Sequence, residues 1–253
     1  MIRFSCLRIF AVFSALVIPG LSRASDHYNL DDGQPTQVED AYPLSFGDRE
    51  LQLTLQYDRT HSNKDQFTIS PRLEWGIAPN TQFSLYAPFQ FGNEDRTGSG
   101  NVTADLLYNF NQETILLPAF AIGGSITAPT GVNEEGVEVG IRLVATKTLG
   151  TSQAMDRIHF NLDYYHHFEA ADDERTDRYV AIIGYSRRIL PDTVLVADLI
   201  REQDTMKEMT LNVVEIGIRQ QLDPQTVFSV GVGAGFGDES PRYRLLIGIQ
   251  RSF

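Results

Sequence analysis

The sequence predicts an all-β fold, a closed antiparallel transmembrane β-barrel of twelve strands with both termini on the periplasmic side. Three observations predict it. A short apolar leader begins the chain, segments of about ten residues with alternating apolar and polar positions follow residue 50, and the connections between them are alternately short and acidic. In such a barrel each strand is apolar toward the lipid and polar toward the lumen, so its side chains alternate with a period of two.

Residues 1–24 have the pattern of a secretory signal peptide, which we expect to be cleaved after export to the bacterial outer membrane. Arg3 and Arg8 precede an apolar run over 9–18, and small residues follow it. The run is too short to cross a bilayer as a helix, which takes about 20 residues. Cys6, the only cysteine, lies in this leader. The mature chain is therefore expected to have no thiol for disulfides, metal binding or nucleophilic catalysis.

Residues 25–49 are acidic, rich in turn-forming residues and without periodicity. Two interpretations are open for this segment. It is either a flexible periplasmic lead or a plug that folds into the lumen of the barrel.

The barrel itself is predicted over residues 50–253, where twelve segments each have an apolar and a polar face. In the first segment Leu51, Leu53 and Leu55 share one face with Tyr57. The ninth and tenth segments are the least regular. The segments span 50–59, 66–77, 81–91, 101–110, 115–128, 137–149, 157–168, 177–189, 193–201, 209–221, 226–236 and 242–253.

The connections between the segments are of two kinds. One set is short, and the other contains fifteen Asp or Glu residues against four Lys or Arg residues. Short turns at one end and longer loops at the other are typical of outer-membrane barrels, and an even number of strands puts both termini at the short-turn end. The acidic loops are predicted at 60–65, 92–100, 129–136, 169–177, 202–208 and 237–241.

The last segment runs to the final residue of the chain. Its apolar face, which includes Tyr243, Ile247, Ile249 and Phe253, is predicted to lie against lipid, and pairing with the first segment closes the barrel. A terminal Phe after alternating apolar residues also resembles the signal that barrel-assembly machinery recognises. A secreted two-sheet sandwich would show the same alternation. Charges in the middle of the polar faces, and outward aromatic residues near both strand ends, favour the barrel.

Charged side chains on the inward faces are the candidate pore-lining residues. Acids outnumber bases near mid-height, which predicts a narrow pore with a weak preference for cations. Arg142 and Asp163 are expected on neighbouring strands, close enough to pair. The alternative is a network of ion pairs that rigidifies a nearly closed barrel. The candidates are Arg72, Glu74, Asp105, Arg142, Asp163, Asp198, Glu215 and Arg219.

Two inward faces consist of small residues and are predicted to lie opposite each other in a ring of twelve strands. They suggest two smooth walls and a slot that passes a flat solute. Alternatively, the small residues make room for long arginine side chains from other strands. The two walls are Ala119, Ala121, Gly123 and Ser125, and Ser229, Gly231, Gly233 and Gly235.

Other classes of function are disfavoured. A net charge of -12 is against nucleic-acid binding. We predict no cofactor. His159, Asp163 and His167 share one inward face, but next-but-one inward residues are about 13 Å apart along a strand, too far to share a metal, so no metal site is predicted. Only His166 faces outward near an aromatic girdle, without an outward Ser beside it. The sequence therefore predicts a channel for small solutes in contact with outer-membrane lipid and lipopolysaccharide. A structural or adhesion barrel with a filled lumen, or a barrel enzyme, is the alternative.

Three stretches of the sequence carry a resemblance to a known family. They are "LEWGIAPNTQFSLYAPF", "GSGNVTADLLYNF" and "LPAFAIGGSITAPTG". They resemble the outer-membrane proteins named for the meta-cleavage pathway of phenol degradation. The resemblance implies an outer-membrane barrel that transports small compounds, with aromatic compounds as a suggested class. Where that family is expected to have Gly-Asp, this chain has Gly100 and Asn101.

Overall fold

The computed structural model describes residues 26–93, 97–132, 135–150 and 153–253. The predicted signal peptide lies outside these residues. The described chain contains fourteen β-strands: β1 (Arg49–Arg59), β2 (Asp65–Ala78), β3 (Thr81–Tyr86), β4 (Phe89–Gly92), β5 (Gly98–Ser99), β6 (Val102–Asn111), β7 (Ala119–Ala128), β8 (Glu138–Thr148), β9 (Arg157–His167), β10 (Asp177–Leu190), β11 (Thr193–Gln203), β12 (Thr210–Asp223), β13 (Thr226–Gly235) and β14 (Tyr243–Ser252).

These strands form one closed antiparallel sheet. Strand β1 pairs with both β2 and β14, so the sheet has no free edge there. Strands β3 and β4 both pair with β2, while β6 pairs with β3 and β5 with β4. Strands β3 and β4 thus form one interrupted strand of the wall, and β5 and β6 form the next. The closed, twelve-stranded antiparallel barrel predicted from the sequence is confirmed.

Two strand boundaries differ from the prediction. The segment predicted at 81–91 is interrupted before Pro88, which has no N–H to donate to a ladder. The segment predicted from 115 begins instead at Ala119, and residues 112–118 form a connection. Ile115 and Leu116 in this connection are 93% and 86% exposed. An apolar run next to a strand was thus mistaken for its continuation.

The apolar faces lie on the outside of the barrel and the polar faces on the inside. On the closing strands Leu53 and Ile249 are 43% and 44% exposed, whereas their neighbours Gln52 and Gln250 are 1% and 2% exposed. This arrangement is the reverse of a soluble protein and suits an exterior covered by lipid. No helix among the described residues is long and apolar enough to cross a membrane.

Outward aromatic rings pack against each other at both ends of the barrel. Phe67 and Phe91 stack with centroids 5.2 Å apart near the acidic loops. Trp75 and Phe83 stack with centroids 5.8 Å apart near the other end. That end has the short turns, the start of β1 and the end of β14. We call these the loop end and the turn end. Aromatic rings at both ends are typical of the two interfaces of a membrane.

Candidate functional site

Most of residues 26–48, here called the inner segment, lies inside the barrel, while Ser45, Phe46 and Gly47 are exposed at its turn end. The backbone amides of Val38 and Ala41 donate hydrogen bonds to Asp198 Oδ2 and Thr146 Oγ1, each over 2.9 Å. Val38 and Ala41 are 1% and 0% exposed. Inward side chains of the wall thus serve as acceptors for a backbone that would otherwise be buried without partners.

The inner segment runs once around the inside of the wall. From residue 33 to residue 45 its contacts follow the order of the strands, and it meets all twelve strands of the wall in turn. The strands contacted, in order, are β1, β14, β13, β12, β11, β10, β9, β8, β7, β6, β3 and β2. The inner segment therefore lines the whole inner circumference of the wall, and most of its residues are buried.

Inward glycines provide the space for this segment. A Cβ built on Gly184 would lie 2.7 Å from Cγ2 of Val38, and one built on Gly217 would lie 2.7 Å from Cβ of Pro35. A Cβ on Gly231 would overlap the carbonyl oxygen of Pro35. The slot predicted in front of Gly231 is therefore occupied by the inner segment.

The other predicted small-residue positions have varied surroundings. Ala119 and Ala121 pack against Ala41 of the inner segment. Cβ atoms on Gly123 and Gly233 would lie 3.3 and 3.4 Å from Cβ of Arg142 and Arg244, respectively. That is the arrangement expected if small residues make room for arginines. Three positions remain: Ser125 pairs with Gly140, Ser229 is fully buried opposite Gly248, and Gly235 lies against the loop at Ser240 and Pro241.

Four arginines of the wall, Arg157 among them, hold the inner segment by its carboxylates and carbonyls. Arg219 is 0% exposed; its Nη2 donates to Asp31 Oδ2 over 2.9 Å and its Nη1 to the carbonyl of Gln34 over 3.2 Å. The other two contacts join Arg72 Nη2 to Asp32 Oδ2 at 3.5 Å and Arg142 to Glu39. A buried cation without such partners would be strongly destabilising.

The acids predicted to line a pore are engaged as well. Glu215 accepts from the amide of Gln37 over 3.1 Å. Arg142 Nε and Asp163 Oδ1 are 3.0 Å apart, so these two residues pair across β8 and β9. Glu74 accepts from Gln52 over 2.9 Å, and Asp105 faces inward between Ser84 and Ser125. The structure thus brings most of the eight predicted residues into one network around the inner segment.

A second set of contacts fixes the inner segment at the turn end. The hydroxyl of Tyr42 donates to Glu113 Oε2 over 2.9 Å, and Lys147 Nζ donates to Glu113 Oε1 over 2.6 Å. The amide and hydroxyl of Thr148 also donate to this carboxylate. Burial alone would raise the pKa of Glu113, but the hydrogen bonds from Lys147, Thr148 and Tyr42 outweigh it and lower the pKa to about 2.

This lowered pKa predicts an acid-dependent loss of stability. The unshifted pKa is 4.5, so ionised Glu113 stabilises the fold above pH 4.5 and the contribution is lost as the pH falls toward 2. We expect the melting temperature of Glu113→Gln to fall less than that of the wild type between pH 5 and pH 2, measured by circular dichroism in detergent. Glu169→Gln, a change in an exposed loop, is the control. Parallel acid profiles for wild type and Glu113→Gln would contradict the assignment.

A cavity of about 200 Å³ lies on the loop side of the inner segment. Its lining includes Tyr86, Tyr165, Arg178 and Glu202, none of which was selected from the sequence. The sequence predicts Glu202 in an acidic loop, whereas it belongs to β11 and faces inward together with Asp198. Two features of the sequence could have identified these residues. The alternation of apolar and polar positions continues past residue 201, and tyrosines occupy inward positions of otherwise polar faces.

Two histidines of the wall are held by neighbouring polar side chains. His166 Nδ1 lies 2.8 Å from Asp177 Oδ1 at the barrel surface. His159 is buried between Thr146 and Ser186, at 3.1 and 2.9 Å, and among the described residues it has no carboxylate partner. Within the same part of the chain, no group of three or more His, Cys, Asp or Glu side chains is placed to hold a metal ion.

The barrel is similar to solved outer-membrane channels. An outer-membrane channel from Pseudomonas putida F1 matches with a TM-score of 0.65 and 15% identity, over 85% of this chain and 98% of that chain. The NanC porin matches with a TM-score of 0.55 and 8% identity, over 80% and 98%. The KdgM porin, solved in complex with disordered oligogalacturonate, matches with a TM-score of 0.52 and 16% identity, over 81% and 99%.

At these identities the likeness establishes the fold alone. The chain has the fold of the outer-membrane channels and porins. No family model matches the sequence, and the search of curated proteins found no match.

Proposed function

We propose that the protein is an outer-membrane channel for the passive uptake of small solutes, closed at rest by its inner segment. The observation that supports closure is the position of the inner segment, which contacts every strand of the wall from within. In this proposal the leader is cleaved and the turn end faces the periplasm, so the acidic loops face outward. Lipid and lipopolysaccharide surround the apolar exterior, and the barrel-assembly machinery inserts the chain through its last strand.

The lumen favours cations over anions. Among the eight predicted pore residues, five are acids and three are arginines. The inner segment adds six Asp or Glu residues and no Lys or Arg. The KdgM porin was solved with a polyanionic oligosaccharide; an excess of carboxylates would repel such a solute here. The proposed solutes are therefore small, and neutral or positively charged.

Aromatic compounds are a narrower proposal for the solute. It is supported by the three stretches that resemble the meta-pathway family. The structure adds two tyrosines, Tyr86 and Tyr165, in the cavity on the loop side.

Planar-bilayer recording in a salt gradient tests the channel proposal. We expect the refolded mature protein to open rarely, with a reversal potential of the sign that indicates cation preference. Asp105→Asn, which removes an inward acid, should reduce the preference more than Asp172→Asn in a loop. An anion-selective conductance would contradict the proposal.

A structural barrel with a permanently filled lumen is the second candidate. The observation in its favour is the complete burial of Arg219 between the wall and the inner segment. Under this alternative the bilayer remains silent even when the inner segment is removed.

A further inference from the structure

The cavity on the loop side of the inner segment has the chemistry of a small binding site. Its volume of about 200 Å³ is below the roughly 300–1,000 Å³ of pockets that hold drug-sized ligands, so it suits a small molecule. Val180, Ile182 and Ile200 form an apolar part of the lining. Tyr86 and Tyr165 add ring surface and hydroxyl groups.

The cations around this cavity are already engaged by acids of the protein. Arg178 donates to both carboxylate oxygens of Glu138, over 2.9 and 2.7 Å, and its guanidinium lies 4.0 Å from the ring centroid of Tyr165. Arg142 is held by Asp163 and Glu39. An anionic ligand would have to displace these carboxylates to reach a positive charge.

Two carboxylates in the cavity are less engaged. Among the described residues, Glu202 has no cation at ion-pair distance, and the guanidinium groups of Arg178 and Arg244 attract it only from farther away. Asp32 has a single ion pair, with Arg72 at 3.5 Å, and its side chain is 31% exposed. A half-buried carboxylate beside an apolar surface is stabilised by a positively charged ligand.

We propose that this cavity is a binding site for small organic cations, in which a protonated amine lies between Glu202 and Asp32. The apolar body of the ligand contacts Ile182 and Ile200, and the tyrosine hydroxyls accept hydrogen bonds from the ammonium group. The inference deepens the proposed channel function by naming the solute class that the loop side recognises. The role of the site in solute uptake rests on the proposed channel function. Binding of the ligand to the cavity does not, because it is measured without conduction.

Three probes of similar size and different charge test the proposal. Isothermal titration calorimetry of the full mature protein in detergent compares benzylamine, benzyl alcohol and benzoate. We expect benzylamine to bind and benzoate not to bind. Glu202→Gln should weaken benzylamine binding at least tenfold, about 1.4 kcal/mol. Asp172→Asn, a change in an exposed loop acid, should leave it unchanged.

Asp32→Asn is the second variant, in case Glu202→Gln fails to fold, and it should also weaken benzylamine. Equal binding of benzoate, or full binding to both variants, would overturn the proposal. Absence of benzylamine binding together with cation-selective steps in the bilayer would overturn this inference and leave the channel function intact. A bilayer that stays silent after removal of the inner segment would overturn the channel function instead.

Discussion

Deletion of residues 26–46 is expected to convert a barrel with rare openings into one with stable, discrete conductance steps. The inner segment contacts all twelve strands of the wall, so its removal leaves a continuous lumen lined by polar side chains. The wall keeps its own closure because β1 pairs with β14 through backbone groups that the deletion does not touch. Buried charges such as Arg219 would then face water, which removes the cost of leaving them without partners.

The measurement is single-channel current of the deletion variant against the wild type in planar bilayers. A reversible cross-link is the matched control. The only cysteine of the sequence, Cys6, lies in the predicted leader, and a Cβ built on Gly33 would lie 3.9 Å from Cβ of Thr54, within the range of a disulfide. Gly33 has a φ of 83°, so a Cys there costs about 1–2 kcal/mol.

The oxidised Gly33→Cys/Thr54→Cys variant should lose the rare openings of the wild type, and a reducing agent should restore them. A silent deletion variant would show that wall side chains close the lumen without the inner segment. That result would favour the structural barrel over the channel.

The wall of the barrel was predictable because its signal is local. Each strand has its own alternation, and the assignment of Leu53 and Ile249 to the lipid face needed only the period of two. The interruption at Pro88 and the late start of β7 were missed. At both positions apolar residues continue past the point where the ladder of hydrogen bonds ends.

The sequence left open whether the inner segment is a periplasmic lead or a plug, because its interactions are spread over the whole chain. Val38, Glu39 and Ala41 each meet a different strand, with partners more than 100 residues away in sequence. Contacts of this kind leave no periodicity in the segment itself. The inward glycines were visible as small residues, but the sequence does not say whether a solute, an arginine or a backbone fills the space before them.

A methyl group at Gly231 is expected to loosen the inner segment and to raise the conductance. The Cβ of Gly231→Ala would overlap the carbonyl oxygen of Pro35, which belongs to a backbone and moves only with its segment. Overpacking of this kind costs about 1–3 kcal/mol. The displaced segment is the part held by Arg219 through the carbonyl of Gln34, so the change should weaken that anchor as well.

Whether the conductance rises or falls distinguishes two roles for Gly231, which either lines an open slot or packs against the inner segment. If Gly231 lined an open slot, added bulk would narrow the passage and lower the current. If it holds the inner segment in place, added bulk drives the segment away and raises the opening frequency, with a lower melting temperature. Gly124→Ala is the control, because a Cβ there faces outward and meets only the carbonyl oxygen of Gly140 at 3.8 Å, an ordinary contact. A fall in current for Gly231→Ala, with Gly124→Ala unchanged, would restore the slot and remove the main support for closure by the inner segment.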